Sequence, residues 1–193
     1  MDFDSQRSTV VLIQELSREE CLNILAGTRI ARLACVHGDQ PYIVPVYLTY
    51  AAESSGTPSL YGVTTLGNKV EWMRTNPRVC IEVDEITKYD QWASVVVLGR
   101  YEELADPSRS EEARHPHLRH PGPSVDAGQE QLSQSSERLE AYRILQSKAM
   151  WWEPAETAWS SRPDRKPGES YDPVYYRVCI EQVSGRRALP QTP

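Results

Sequence analysis

The chain has 193 residues and a formal net charge of −6 at pH 7. That length fits one domain whose core needs no disulfide staples. The acidic balance argues against general nucleic-acid or membrane-surface binding, and no apolar run is long enough for a transmembrane helix.

The N-terminus, Met1-Asp-Phe-Asp, has neither the basic n-region nor the apolar h-region of a signal peptide. Cys21, Cys35, Cys80 and Cys179 are scattered, with no CxxC pair. Buried reduced thiols in a cytoplasmic protein are the expectation. One Phe stands against five Trp and ten Tyr, and such amphipathic rings suit pocket walls and subunit interfaces as well as cores.

Residues 1–14 read as an arm. Ser17-Arg-Glu-Glu20 is a capping box that starts a helix. Cys21, Ile24 and Leu25 share a face of it, and Gly27 is a stop signal. Ile30 to Val36 reads as a strand, His37-Gly-Asp-Gln40 as a tight turn with Gly38 at positive φ. Tyr42 to Tyr50 reads as one longer strand. Pro45 lacks an N–H, so this strand belongs at an edge or carries a bulge.

Leu60-Tyr-Gly-Val-Thr-Thr-Leu-Gly-Asn-Lys69 reads as a short strand, a polar turn and a helix start. Asn68 is the expected N-cap, with Glu71 completing a capping box. Free N–H groups, the positive end of the helix dipole and the Lys69 ammonium converge there, with Thr64 and Thr65 adding hydroxyls. A phosphate is the natural guest. A plain joint with Lys69 in water is the bland alternative.

Lys69 to Asn76 is a short helix ended by Asn76-Pro77. Val79 to Val83 is a strand and Asp84 to Asp90 a loop. Trp92 to Glu103 is the next strand, where Gly99 marks a close approach or kink. Residues 105–129, proline-rich and charged, read as a mobile loop or insertion. Their His115, His117 and His120 read as solvated loop rather than a metal site. Glu130 to Met150 reads as a helix burying Leu132, Leu139, Tyr142 and Leu145. Residues 154–173 are again proline-rich. Val174 to Val183 is a last strand, and residues 184–193 form a basic tail opened by Ser184-Gly-Arg-Arg187. The expectation is one domain over 1–193, mainly β, with six antiparallel strands closed as a Greek-key barrel.

The segments Ile30–Ala34, Pro41–Val46, Leu60–Lys69, Asn76–Val79, Ser94–Glu102, and Val174–Val178 with Ser184–Arg187 resemble the FMN-binding split-barrel families. These include pyridoxamine 5′-phosphate oxidase and its relatives, with the nitroimidazole-resistance (Nim-type) branch among them. The resemblance implies a split barrel and a homodimer with two flavin sites at the subunit interface. It implies FMN phosphate beside Gly67, Asn68 and Lys69, and a strand Tyr42, Ile43, Val44, Val46 along the isoalloxazine. It implies backbone contacts from Val63, Thr64 and Thr65, and Ser94 facing the cofactor. Trp92 is added from the residues as an indole able to cover the ring.

Two departures stand out. Nim-type proteins commonly carry a His just before the Thr-rich turn, where this chain has Val63. The basic residues with which true pyridoxamine-phosphate oxidases hold substrate phosphate near the C-terminus are not found, since Arg186 and Arg187 sit in a different context. That oxidase activity is therefore not expected. No side-chain catalytic constellation is visible in the spacing. The chemistry implied is hydride transfer through a flavin on a small-molecule substrate, with Trp151 and Trp152 as lid or packing. The alternative is a carrier or sensor of flavin, deazaflavin or haem, although His37 in its tight turn is a poor axial ligand.

Overall fold

The computed structural model describes residues 11–52, 57–104, 137–147, 160–161, 163 and 173–190. The region 105–129 with its histidines, the 130–136 part of the long helix, Trp151 and Trp152 lie outside the described residues. The chain runs β1 (Val11–Glu15), α1 (Arg18–Gly27), β2 (Ile30–His37), β3 (Gln40–Tyr47), β4 (Thr49–Ala51), β5 (Ser59–Thr65), α2 (Asn68–Thr75), β6 (Arg78–Lys88) and β7 (Gln91–Glu103). A third helix, α3, covers 137–146, and β8 is Pro173–Pro190.

The architecture is mainly β, with every ladder antiparallel and the order β3-β2-β6-β7-β8-β5-β4, β1 pairing with β8. β3 comes up against β5 without a ladder between them. The barrel is therefore split on that side.

Among the described residues there are eight strands where six were read. One of the extra two is β1, from the end of the arm. The other arises because Tyr42 to Tyr50 breaks at Leu48. The buried Leu48 donates its N–H to the Arg29 carbonyl at 3.2 Å, and the chain leaves β2 to pair with β5. Pro45 sits opposite Arg32 on the sheet's terminal strand, where its missing N–H costs no ladder bond.

Two further corrections have a common cause. Asp84 to Asp90 is not a loop: β6 runs on to Lys88, and only Tyr89-Asp90 turns. Nor are residues 184–190 a tail, because β8 continues to Pro190 and pairs with β1 and β7. Both extensions are largely solvent-facing, so the hydrophobic alternation that marks a strand fades there.

The local signals elsewhere hold. Ser17 caps α1: its hydroxyl accepts from Glu20 N–H, and the Glu20 carboxylate accepts from Ser17 N–H at 2.9 Å. Cys21, Ile24 and Leu25 are the buried face of α1. Gly38 has φ +61°. On α3 the buried pair is Ala141 and Leu145, packed with Tyr61 and Leu104. Leu139 is 51% exposed and Tyr142 39%, which corrects the expected face, since residues four apart share one stripe and Leu139 lies off it.

The main core joins α1 and α2 to the inward side chains of β2, β6, β7 and β8. Tyr176 is fully buried there, and its hydroxyl has no hydrogen-bond partner among the described residues. Gly62 makes room for it, since a Cβ at Gly62 would lie 2.5 Å from the phenol oxygen. An unpaired buried hydroxyl is costly. Tyr176→Phe is expected to keep stability or raise it by about 1 kcal/mol. A lower urea midpoint would contradict this.

Candidate functional site

β5 delivers the chain to α2 through Leu66 and Gly67. The N-cap of α2 is Gly67, not Asn68, which is the first helical residue. The expected Asn68–Glu71 capping box does not form. Instead the Gly67 carbonyl accepts from Val70 N–H at 2.9 Å and Glu71 N–H at 3.2 Å, and no side chain caps the helix. A Cβ on Gly67 would meet nothing within 4 Å, so the space over the helix start is open.

α2 is pinned beyond this start. Trp72 stacks on His37 at 5.3 Å and meets Tyr42 edge-on at 5.4 Å. Arg74 makes a two-bonded fork with the Glu103 carboxylate, each bond 2.7 Å. The helix start is therefore fixed against the β2–β3 hairpin and the end of β7.

Lys69 is half-buried at this start, near Cys35. Desolvation pushes its ammonium below the usual 10.5, and the nearby Cys35 pushes it back up. Burial raises the Cys35 thiol, partly offset by Lys69. No carboxylate pairs with Lys69 among the described residues. A desolvated cation thus stands at the positive end of a helix with no anion beside it. These groups fit a phosphate.

The remaining candidates divide. Tyr42, Val44 and Val46 pair with Cys35, Leu33 and Ala31 and share one face of β3, with Val46 buried, Val44 packed against the core and Tyr42 38% exposed beside Trp72, while Ile43 faces out at 60% exposure. Thr64 is buried, its hydroxyl donating to the Thr65 carbonyl at 3.4 Å; Thr65 is half-buried. Val63 packs with the Tyr61–Leu145 cluster beside α3.

Trp92 and Ser94 lie elsewhere in the chain. With Glu15, Val96, Ser184 and Arg186 they line a cavity of about 480 Å³ between β1, β7 and β8. Ser94 donates to Glu82 at 3.0 Å, and Glu82 also accepts from Arg32 at 2.9 Å. The Ser94 proton is committed, so it meets a ligand with its lone pairs.

Sequence reasoning missed Trp72, although it is three residues from Lys69 on one helix. It also set Arg186 aside; β8 runs on past Val183 and places Arg186 opposite Ser94.

Residues 17–150 match the family described as "Pyridoxamine 5'-phosphate oxidase". The chain belongs to the pyridoxamine 5′-phosphate oxidase family. A Rhizobium meliloti (strain 1021) protein, itself uncharacterised, is 34% identical over 92% of this chain and 97% of its own length. A Mesorhizobium loti structure, described as a FAD-binding protein, is 34% identical with a TM-score of 0.60, covering 93% of this chain and 99% of that one. The FAD binding protein from Mycobacterium smegmatis shares the fold at 18% identity and a TM-score of 0.50, over 90% of this chain and 98% of that one. Among the described residues of this family member, no helix is long and apolar enough to cross a membrane.

Proposed function

We propose that this family member is a cytoplasmic, homodimeric, FMN-binding oxidoreductase acting on a small molecule. The observation that carries the reading is the start of α2, without a side-chain cap, beside the desolvated Lys69, which has no ion pair among the described residues. When bound, a flavin supplies hydride transfer between donor and acceptor. The chain's own part is to bind, orient and shelter it. Lys69 and the N–H groups after Gly67 hold the phosphate. Tyr42, Ile43, Val44 and Val46 run along the ring system, and Val63, Thr64 and Thr65 contribute backbone contacts. The Mesorhizobium relative is named for FAD, whose inner phosphate needs the same cradle as FMN.

Within one chain, Trp92 and Ser94 belong to a cavity that none of the α2 or β3 candidates line. A second copy brings them to the flavin in this reading. The four cysteines, all free, suit a reducing compartment.

The test is the absorption spectrum of the purified protein, followed by mass analysis of the released cofactor. A flavin spectrum with FMN mass is expected; haem, deazaflavin or no cofactor overturns the reading. Sedimentation at micromolar concentration is expected to show a dimer, and a species of only 21.9 kDa overturns the two-chain site. Steady-state oxidation of NADH or NADPH then separates enzyme from carrier.

A further inference from the structure

Arg32, Glu82, Asp84 and Ser94 form one polar network across three strands. Arg32 on β2 stands opposite Glu82 in the β2–β6 register, and Asp84 stands opposite Ser94 in the β6–β7 register. The Arg32 guanidinium donates through Nη1 to Glu82 Oε2 at 2.9 Å and to Asp84 Oδ1 at 3.1 Å. The other Glu82 oxygen, Oε1, accepts the Ser94 hydroxyl at 3.0 Å.

Stability is a poor reason for this network. The Arg32 side chain is 49% exposed, Glu82 28% and Asp84 31%, and ion pairs so open to water contribute little. What the network fixes is direction. A guanidinium only donates hydrogen bonds and an ionised carboxylate only accepts them. With Arg32 on one side of Glu82, the bond on the other side runs one way, from Ser94 to the carboxylate. Ser94 keeps its lone pairs for the cavity that it lines. An oxidised isoalloxazine ring carries a single N–H, at N3, and its other ring heteroatoms donate nothing.

We infer that Arg32 and Glu82 are positioning residues that hold Ser94 as the acceptor for the ring N–H of a bound flavin. The pair thereby selects which edge of the ring meets β7. This deepens the flavoprotein reading and rests on it. In the two-chain arrangement the ring is that of the flavin held by the second copy.

The experiment is a flavin-fluorescence titration of the full chain with FMN and with 3-methyl-FMN, which has no ring N–H. Ser94→Ala should weaken FMN by roughly threefold to tenfold and leave 3-methyl-FMN unchanged. In Glu82→Gln, Arg32 takes the amide carbonyl and turns the amide NH₂ toward Ser94. The Ser94 hydroxyl then donates toward the ligand, so FMN should weaken at least as much as in Ser94→Ala, again with 3-methyl-FMN unchanged. Arg32→Lys keeps a donor on Glu82 and should stay closer to wild type than Arg32→Gln. Equal losses for the two flavins in Ser94→Ala and Glu82→Gln are the mark of a purely structural network and overturn the inference. Unchanged FMN affinity in both variants also overturns it. Should Glu82→Gln fail to fold, the comparison of the two flavins in Ser94→Ala decides alone. A wild-type chain that binds neither flavin overturns the flavoprotein reading together with this inference, whereas FMN bound equally by wild type and Ser94→Ala overturns this inference only.

Discussion

Lys69→Ala is expected to weaken FMN binding by roughly tenfold to hundredfold and to leave riboflavin binding where it was. The difference between the two ligands is the phosphate alone. In the free protein Lys69 is half-buried and has no ion pair among the described residues, beside a helix start with no side-chain cap. A phosphate there gains a charge-assisted hydrogen bond and the favourable end of the dipole. The fold should not suffer. Desolvation holds the folded-state value of Lys69 below its usual 10.5, so the charged form is disfavoured in the fold. That penalty is fully present below the folded value and fades as pH rises from the folded to the unfolded value. Removing the amine at neutral pH therefore leaves stability equal or higher. The same sign applies to the ligand: phosphate favours the ammonium, so FMN affinity should fall as pH climbs through the free-protein value of Lys69. Flavin-fluorescence titrations over pH measure both effects. An equal loss for FMN and riboflavin, or no loss for either, removes the phosphate from this turn.

Gly99→Ala is expected to destabilise the fold by about 2–3 kcal/mol. Gly99 sits at the register shift between β7 and β8. A Cβ there would lie 2.5 Å from the Cys179 carbonyl oxygen and 2.8 Å from Val178 Cγ1. The carbonyl is backbone in a ladder, so it moves only by opening that ladder. Gly27→Ala is the matched control, because a Cβ at the end of α1 meets nothing within 4 Å; it should be neutral or stabilising by about 0.5 kcal/mol. Urea denaturation of the two variants reads the contrast. Equal midpoints would mean that the close approach at Gly99 relaxes freely.

Gly99, Gly38 and the Ser17–Glu20 capping box were legible because each is a local demand of the backbone, written in one to four residues. The inner faces of β6 and of the first half of β8 were legible from alternation, whereas Val95–Leu98 on β7, apolar throughout, reads as buried on both faces and in fact leaves Leu98 46% exposed. What stayed hidden depends on distant partners. Leu139 looked as buriable as Leu145, and only the placement of Tyr61 and Leu104 decides between them. Asn68 looked a better N-cap than Gly67, yet the backbone turns into the helix one residue earlier. For the candidate site, the convergence of Gly67 and Lys69 was readable, but the loss of solvent around Lys69 comes from packing near Cys35 on another strand. The separation of Trp92 and Ser94 from Lys69 was not readable, because spacing along a chain says nothing about which side of a barrel a strand occupies.

β8 borders β1, β5 and β7 at once, and it begins some 70 residues after β7 ends. The hairpins β2–β3 and β6–β7 join near neighbours and can zip early. β1 and the β4–β5 pair wait for an edge that has not been made. At a synthesis rate of about 5–20 residues per second, that wait lasts about 4–14 s. Throughout it, β7 offers a long row of unpaired N–H and C=O groups to any extended chain nearby. The strand that closes this barrel is thus also the timer of its assembly, and the nascent chain's exposure to mispairing is set by how late that strand is made.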